Sequence, residues 1–186
     1  MRRLGMFMSV SLDGFFAGPN GDMSWAHRRD PEWDEYVNGN VKGESELMFG
    51  RVTYDMMVSY WPTPMAAKNS PAVAARMNTA PKIVFSRTLR ESQWENTKVL
   101  NGDLVEEVAR LKGQPGPGIT ILGSGSIVRQ LTDARLIDEY QIVICPLVLG
   151  QGKSLFGGLK QCANLELTSS RAFSNGNVVL CYQAAV

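Results

Sequence analysis

Two hydrophobic rhythms alternate along this chain. Solid or every-second-residue apolar runs, the pattern of strands, fall at residues 4–12, 45–50, 82–86, 116–123 and 138–150. Between them, apolar positions recur every three to four residues, the spacing of a helix with one buried face. Helices are predicted over 30–42, 51–61, 70–80, 103–111 and 126–136. Local signals mark their ends. Asp30 stands as an N-cap before Pro31 at the first helical position, and Asp103 and Glu106 are spaced as a capping box. Pro62 and Pro64 stop the helix that begins at Arg51. Two final strands, 165–173 and 177–183, flank "SNGN", whose Asn175-Gly176 pair predicts a tight hairpin turn.

Alternating strand and helix over about 140 residues predict an α/β protein with a mostly parallel sheet. The run "GPGITILG" is apolar on both sides, as a strand covered on both faces must be, and the last hairpin adds an antiparallel edge. With no repeat, low-complexity tract or linker, residues 1–186 are expected to form a single domain.

Composition narrows the function. A formal net charge of +1 gives no electrostatic footprint for nucleic acid or an anionic membrane. No apolar run approaches the ~18 residues of a membrane span, and Asp13 comes too early for a signal peptide, so a cytoplasmic protein is expected. The three cysteines are widely spaced, and Cys145 and Cys181 sit inside strand patterns as small buried thiols. His27 is the only histidine, which argues against zinc catalysis and against a Ser-His-Asp triad. No metal site is expected.

Three loops carry a common chemistry. In "FGRVTYD", Gly50 and Arg51 end a strand and Thr53 lies in the first turn of the next helix, where free backbone amides and a guanidinium attract anions. In "FSRT", Ser86, Arg87 and Thr88 offer a hydroxyl, a guanidinium and a second hydroxyl to a phosphate monoester. An acidic residue there would instead favour a free ribose 2′-hydroxyl, so this loop leans toward NADP over NAD. In "ILGSGSIVRQL", residues Gly123, Ser124, Gly125 and Ser126 let the backbone approach a pyrophosphate. Each loop follows a predicted parallel strand, as one dinucleotide lying across the sheet edge requires. A fourth glycine-rich stretch, "GQGKS" at 150–154, lacks the first glycine of a P-loop, since Leu147 stands there, and no helix follows it.

Read together, "SVSLDGFFAGPNGDMSW", "FGRVTYD", "KIVFSRTL", "ILGSGSIVRQL" and "LIDEYQIVICPLVLGQGKSLF" resemble the dihydrofolate reductase-like superfamily. The nearest resemblance is to the reductase domain of the bifunctional riboflavin-biosynthesis enzyme and its stand-alone relatives. It implies an NADPH-dependent reductase with a central, mostly parallel sheet, and a homodimer. It further implies that Gly50, Arg51 and Thr53 contact the cofactor phosphates, that Ser86 and Arg87 meet the adenosine 2′-phosphate, and that the 123–126 turn holds the pyrophosphate. Ala17 and Gly18 would line the nicotinamide side.

Hydride transfer needs little from the protein beyond orientation and a proton donor or polarising charge. Asp13, at the end of the first strand, is the candidate for that role, although Asp13-Gly14 also makes an ordinary turn. Dihydrofolate reductases themselves place an acidic residue on the helix after a Trp-containing loop. Here that helix offers Glu32, Asp34 and Glu35 without a clear match to the pterin-binding pattern. Phe15, Trp25, Trp33, Tyr54 and Trp61 are candidate walls for a flat heterocycle, or alternatively core residues, with Phe15, Trp25 and Tyr54 the leading ones. Arg28 and Arg29 read as a solvated pair that could also meet a phosphorylated substrate. The chain has no His/Cys zinc signature of a companion deaminase. The expected activity is reduction of a small heterocycle by NADPH; the alternative is an NADP(H)-binding protein without turnover.

Overall fold

The computed structural model describes residues 1–28, 30–40 and 43–185. In chain order the elements are β1 (Leu4–Ser11), β2 (Phe15–Ala17), a 3-10 turn (Ser24–Ala26), α1 (Pro31–Asn40), β3 (Glu46–Gly50), α2 (Arg51–Tyr60), α3 (Pro64–Asn69) and α4 (Pro71–Thr79). They continue with β4 (Lys82–Phe85), β5 (Thr97–Leu100), α5 (Leu104–Gly113), β6 (Ile119–Leu122), α6 (Gly125–Asp133), β7 (Glu139–Cys145), β8 (Lys153–Ser154), β9 (Leu165–Ala172) and β10 (Val178–Ala184). Eight strands form one sheet in the order β5-β4-β3-β6-β1-β7-β10-β9. β5 through β7 run parallel, and β10 and β9 close the sheet antiparallel. The mostly parallel sheet with a C-terminal antiparallel hairpin is the architecture that the strand–helix alternation predicts.

Burial follows the pleat. Successive strand residues point to opposite faces, so Met48 and Ile83 join Leu4, Met6 and Met8 under α5 and α6, while Leu47, Phe49 and Val84 pack under α2 and α4. Each such buried side chain contributes about 1.5–3 kcal/mol. A third cluster, with Trp33 of α1 against Val143, Cys145, Phe173 and Val179, covers the β7–β10 end. Burial pushes the Cys145 thiol up to about 11, which suits an inert core residue. The edge strand β9 is exposed along most of its length.

Several helix starts follow their sequence signals. The Asp30 carboxylate accepts from the Trp33 N–H at 3.1 Å, and Asp103 accepts from the Val105 and Glu106 N–H groups. The predicted helix over 30–42 is described only to Asn40. α2 ends at Tyr60, before Pro62 and Pro64, as predicted, and Pro64 then takes the first position of a further helix capped by Thr63. One expectation is corrected. The long strand predicted over 138–150 stops at Cys145, before Pro146, which has no N–H for the ladder. β5, β2 and β8 lie outside the predicted strands and helices. "GQGKS" leads into the two-residue strand β8 and starts no helix, so it forms no phosphate loop.

Candidate active site

β5, β4, β3 and β6 are sheet neighbours and all parallel, so the loops leaving their carboxyl ends stand side by side. They enclose a groove of about 390 Å³. Its lining includes Gly50, Arg51 and Thr53, Ser86 and Arg87, and Ser124 and Ser126, so the three loops singled out in the sequence converge. Thr88 reaches the same place through its hydroxyl, 3.3 Å from the Arg51 guanidinium.

The local geometry shows which groups are spent and which are free. Ser86 is buried, and its hydroxyl accepts from the Thr88 and Leu89 N–H groups, folding the loop back on itself. Arg87 is exposed, and among the described residues its guanidinium has no ion-pair or hydrogen-bond partner. Arg51 is held along α2 by Asp55, 2.8 Å away, and leans toward Thr88. It therefore stands with the Ser86–Thr88 loop more than with the 123–126 turn. The first amides of α6, at Gly125 and Ser126, have no carbonyl of their own helix to pair with, and the helix dipole adds positive potential there.

The turn before α6 is left-handed at two successive residues, Gly123 (φ 62°) and Ser124 (φ 63°). Gly123 is required by space as well, since a Cβ would come within 2.9 Å of Thr53 Cγ2. The Ser124 hydroxyl accepts from the Gly50 N–H at 2.6 Å and donates to Thr53 Oγ1 at 2.9 Å.

The substrate end is built differently. Asp13, the candidate proton donor, has both carboxylate oxygens engaged: Ser11 Oγ donates at 2.6 Å, the Leu149 N–H at 3.1 Å and the Gly150 N–H at 2.7 Å. The Ser11 hydroxyl first, then the Gly150 and Leu149 amides, hold the Asp13 carboxyl below the usual carboxylate range. That suits an anchor and a fixed negative charge rather than a proton donor near neutral pH. Ala17 and Gly18 are buried, and Ala17 pairs with Lys153 in the β2–β8 ribbon. Gly152 (φ 151°) lies so close beneath that a Cβ would meet the Ala17 carbonyl oxygen at 2.3 Å. Phe16 packs onto the start of α6 in the same close way, with a Cβ at Gly125 falling 2.3 Å from its ring.

The aromatic candidates separate. Phe15 is half-buried on β2, and Trp25 is half-buried in the 3-10 turn with its indole N–H donated to the Asp22 carbonyl at 3.1 Å. Tyr54 is a correction: it is buried beside Trp94 under α2, and its hydroxyl is paired with Ser92 at 2.7 Å, so it is a core residue and no wall of a substrate site. Trp33 stacks with Tyr36 and meets Phe173 edge-on, and Trp61 packs beneath α2 with its N–H toward the Met57 sulfur. Glu32 is paired with Arg171 at 2.9 Å. Arg28 is exposed, and Arg29 lies outside the described residues. The groove also has a wall that the sequence reading missed, Leu100 to Leu104 at the end of β5, because β5 itself went unrecognised.

A mostly parallel sheet whose neighbouring strand ends line one groove, closed by an antiparallel hairpin, defines the dihydrofolate reductase-like fold. Residues 2–179 match the profile described as the RibD C-terminal domain, and the chain belongs to this family of reductases. It is 32% identical over 184 residues to the uncharacterised protein YyaP of Bacillus subtilis strain 168, a match covering 97% of this chain and 94% of the relative. Among solved structures it resembles a protein of Shewanella sp. PV-4 provisionally assigned to riboflavin biosynthesis, with a TM-score of 0.78, 24% identity and 99% of both chains covered. It also resembles the Thermotoga maritima diaminohydroxyphosphoribosylaminopyrimidine deaminase/5-amino-6-(5-phosphoribosylamino)uracil reductase, at a TM-score of 0.64 and 13% identity. That match covers 99% of this chain and 57% of the bifunctional protein. No helix among the described residues is long and apolar enough to cross a membrane.

Proposed function

We propose that this protein is an NADPH-dependent oxidoreductase that delivers a hydride to a small planar heterocycle of the pterin, pyrimidine or riboflavin-precursor kind. The observation that carries the reading is the alignment of the Gly50–Thr53, Ser86–Thr88 and Gly123–Ser126 loops along one groove, where the Arg87 guanidinium has no partner among the described residues. Membership in a reductase family and the resemblance to a uracil reductase support the same direction.

In this reading Ser86, Arg87 and Thr88, joined by Arg51, take the adenosine 2′-phosphate. The amides of Gly125 and Ser126 and the start of α2 at Gly50 to Thr53 take the pyrophosphate. Ala17 and Gly18 bound the nicotinamide, and Phe15 and Trp25 bound the heterocycle. Bound NADPH supplies the hydride, and the chain's own groups orient the two rings and exclude water. Asp13 enters as the anchor that ties the 149–150 loop to the end of β1 and as a negative charge at the substrate end. The chain would act as a single domain in a homodimer, for which the long exposed edge of β9 is available.

Fluorescence titration with NADPH and NADH tests the proposal. NADPH should bind well below about 1 mM, and failure of both nucleotides to do so would falsify it. Arg87→Ala should weaken NADPH about 10- to 100-fold, the loss of a charge-assisted phosphate contact, and leave NADH nearly unchanged. Equal loss for both would remove the 2′-phosphate assignment. One observation favours the second reading, an NADP(H)-binding protein without turnover: the only acid at the end of β1 is held deprotonated. Stopped-flow oxidation of bound NADPH against pterins, pyrimidines and flavin precursors separates the two.

A further inference from the structure

We infer that Ser124 is a positioning residue whose hydroxyl never touches the cofactor and instead locks two of its binding loops at the separation a bound pyrophosphate requires. This rests on the reading of the groove as an NADPH site.

Three observations carry it. Ser124 sits at φ 63° and ψ 61°, a left-handed conformation that glycine adopts freely and serine does not, and it is flanked by Gly123 and Gly125. A serine kept there is held by something its side chain does. That side chain has one donor and two acceptor sites. The donor goes to Thr53 Oγ1 and an acceptor takes the Gly50 N–H, so no proton is left to offer a phosphate oxygen.

The third observation is where these bonds lie. The β3–β6 ladder runs from Glu46↔Ile119 to Met48↔Ile121 and stops there. The bond from Gly50 to Ser124 adds one more tie beyond the last rung, made by a side chain because the backbone has already turned. It joins the amide at the start of α2 to the turn before α6. The two helix starts that point positive potential into the groove are thereby fixed to each other. The pyrophosphate is left to the Gly125 and Ser126 amides and the exposed Ser126 hydroxyl.

The test compares Ser124→Gly and Ser124→Ala with the wild type, using NADPH and adenosine 2′-monophosphate as probes. The second ligand needs the Ser86–Thr88 loop and lacks the pyrophosphate. S124G should unfold at or above the wild-type temperature, because strain is relieved, yet bind NADPH at least tenfold more weakly and adenosine 2′-monophosphate within twofold of wild type. S124A, which keeps the strain and loses the hydroxyl, should show the same ligand pattern with a lower unfolding temperature than S124G. An S124G protein that binds NADPH within twofold of wild type overturns the inference and leaves the cofactor reading intact. So does an equal loss of both ligands, or an S124G protein that unfolds well below the wild type, since either makes the hydroxyl a general fold contact. A wild-type protein that binds neither ligand sinks the cofactor reading itself, and this inference with it.

Discussion

Two neighbouring stretches of one sheet edge treat their polar groups in opposite ways. Past β4, β3 and β6, the Arg87 guanidinium lines a groove and has no ion-pair or hydrogen-bond partner among the described residues, and the first amides of α6 have no carbonyl of their own helix to pair with. Past β1, one strand further along, the Asp13 carboxylate is already engaged by Ser11, Leu149 and Gly150, and the β2–β8 ribbon lies on Gly152 without room for a methyl group. The first region is kept available for a ligand's charge. The second is a scaffold whose interactions are satisfied internally, so it gives shape and rigidity rather than affinity.

The contrast can be broken most severely at the scaffold. Gly152→Ala should cost about 3–5 kcal/mol, because the new Cβ strikes the Ala17 carbonyl and the backbone conformation is strained as well. Gly150→Ala, also at positive φ but with open space around it, should cost only about 1 kcal/mol. Chemical denaturation of the two variants measures the difference, and equal losses would show that close packing of the ribbon is not what stabilises this end.

The two ends of β4 give the same contrast on one strand. Beyond its carboxyl end Arg87 has no partner among the described residues, whereas Lys82 at its amino end is fully buried, donates to the Met77, Asn78 and Ala80 carbonyls, and lies over the Trp94 ring. Burial, the main cause, lowers the Lys82 ammonium to about 8. The unfolded chain keeps that proton up to its ordinary value of 10.5, so between the two values the unfolded state binds more protons than the folded one. Stability should therefore rise with pH in this window, by up to about 3 kcal/mol, relative to Lys82→Met, which has no such proton. Urea midpoints of the two proteins at pH 7.5 and 10, as assay settings of about those values, decide it. Parallel behaviour of both proteins would refute the assignment.

Smaller effects sharpen the boundary between the regions. Asp13→Asn loses the charge that collects the Leu149 and Gly150 amides, so the 147–152 loop should become more sensitive to limited proteolysis. NADPH affinity should change little and kcat should fall; a large loss of affinity with unchanged kcat would place Asp13 in the binding region instead. The smallest change is expected from Asp55→Asn. Its carboxylate competes with a phosphate for exposed Arg51, so the variant should bind NADPH about two- to threefold more tightly at low salt. Weaker binding would mean that Asp55 chiefly aims Arg51.

Much of the fold was legible because its strands and helices have clean periods. The central elements bury one stripe or two full faces, and apolar spacing records that directly. What escaped has a physical cause in each case. β5, "TKVL", is four residues long with a lysine in it, too short and too polar to show a rhythm. β2 and β8 are defined by pairing between Phe15 and Ser154, a contact that leaves no local pattern. The loops that line the groove were legible because strand, turn and helix are sequential. The hydrogen bonds that Asp13 makes were not legible, because two of its partners lie 136 and 137 residues away. Tyr54 shows a further limit: on a helix, an aromatic that lines a pocket and one that fills a core occupy the same kind of position.

The place of β6 in the sheet has a consequence for how the molecule comes into being. β6 lies between β3 and β1, although it follows both in the chain. Until it inserts, β1 and β3 have no common neighbour, and the turn that meets Gly50 and Thr53 does not exist. Such non-local pairing is slow, since a long loop must close before any contact forms. During synthesis or refolding, the groove therefore takes shape only once β6 has inserted, and ligand binding to it would report that step.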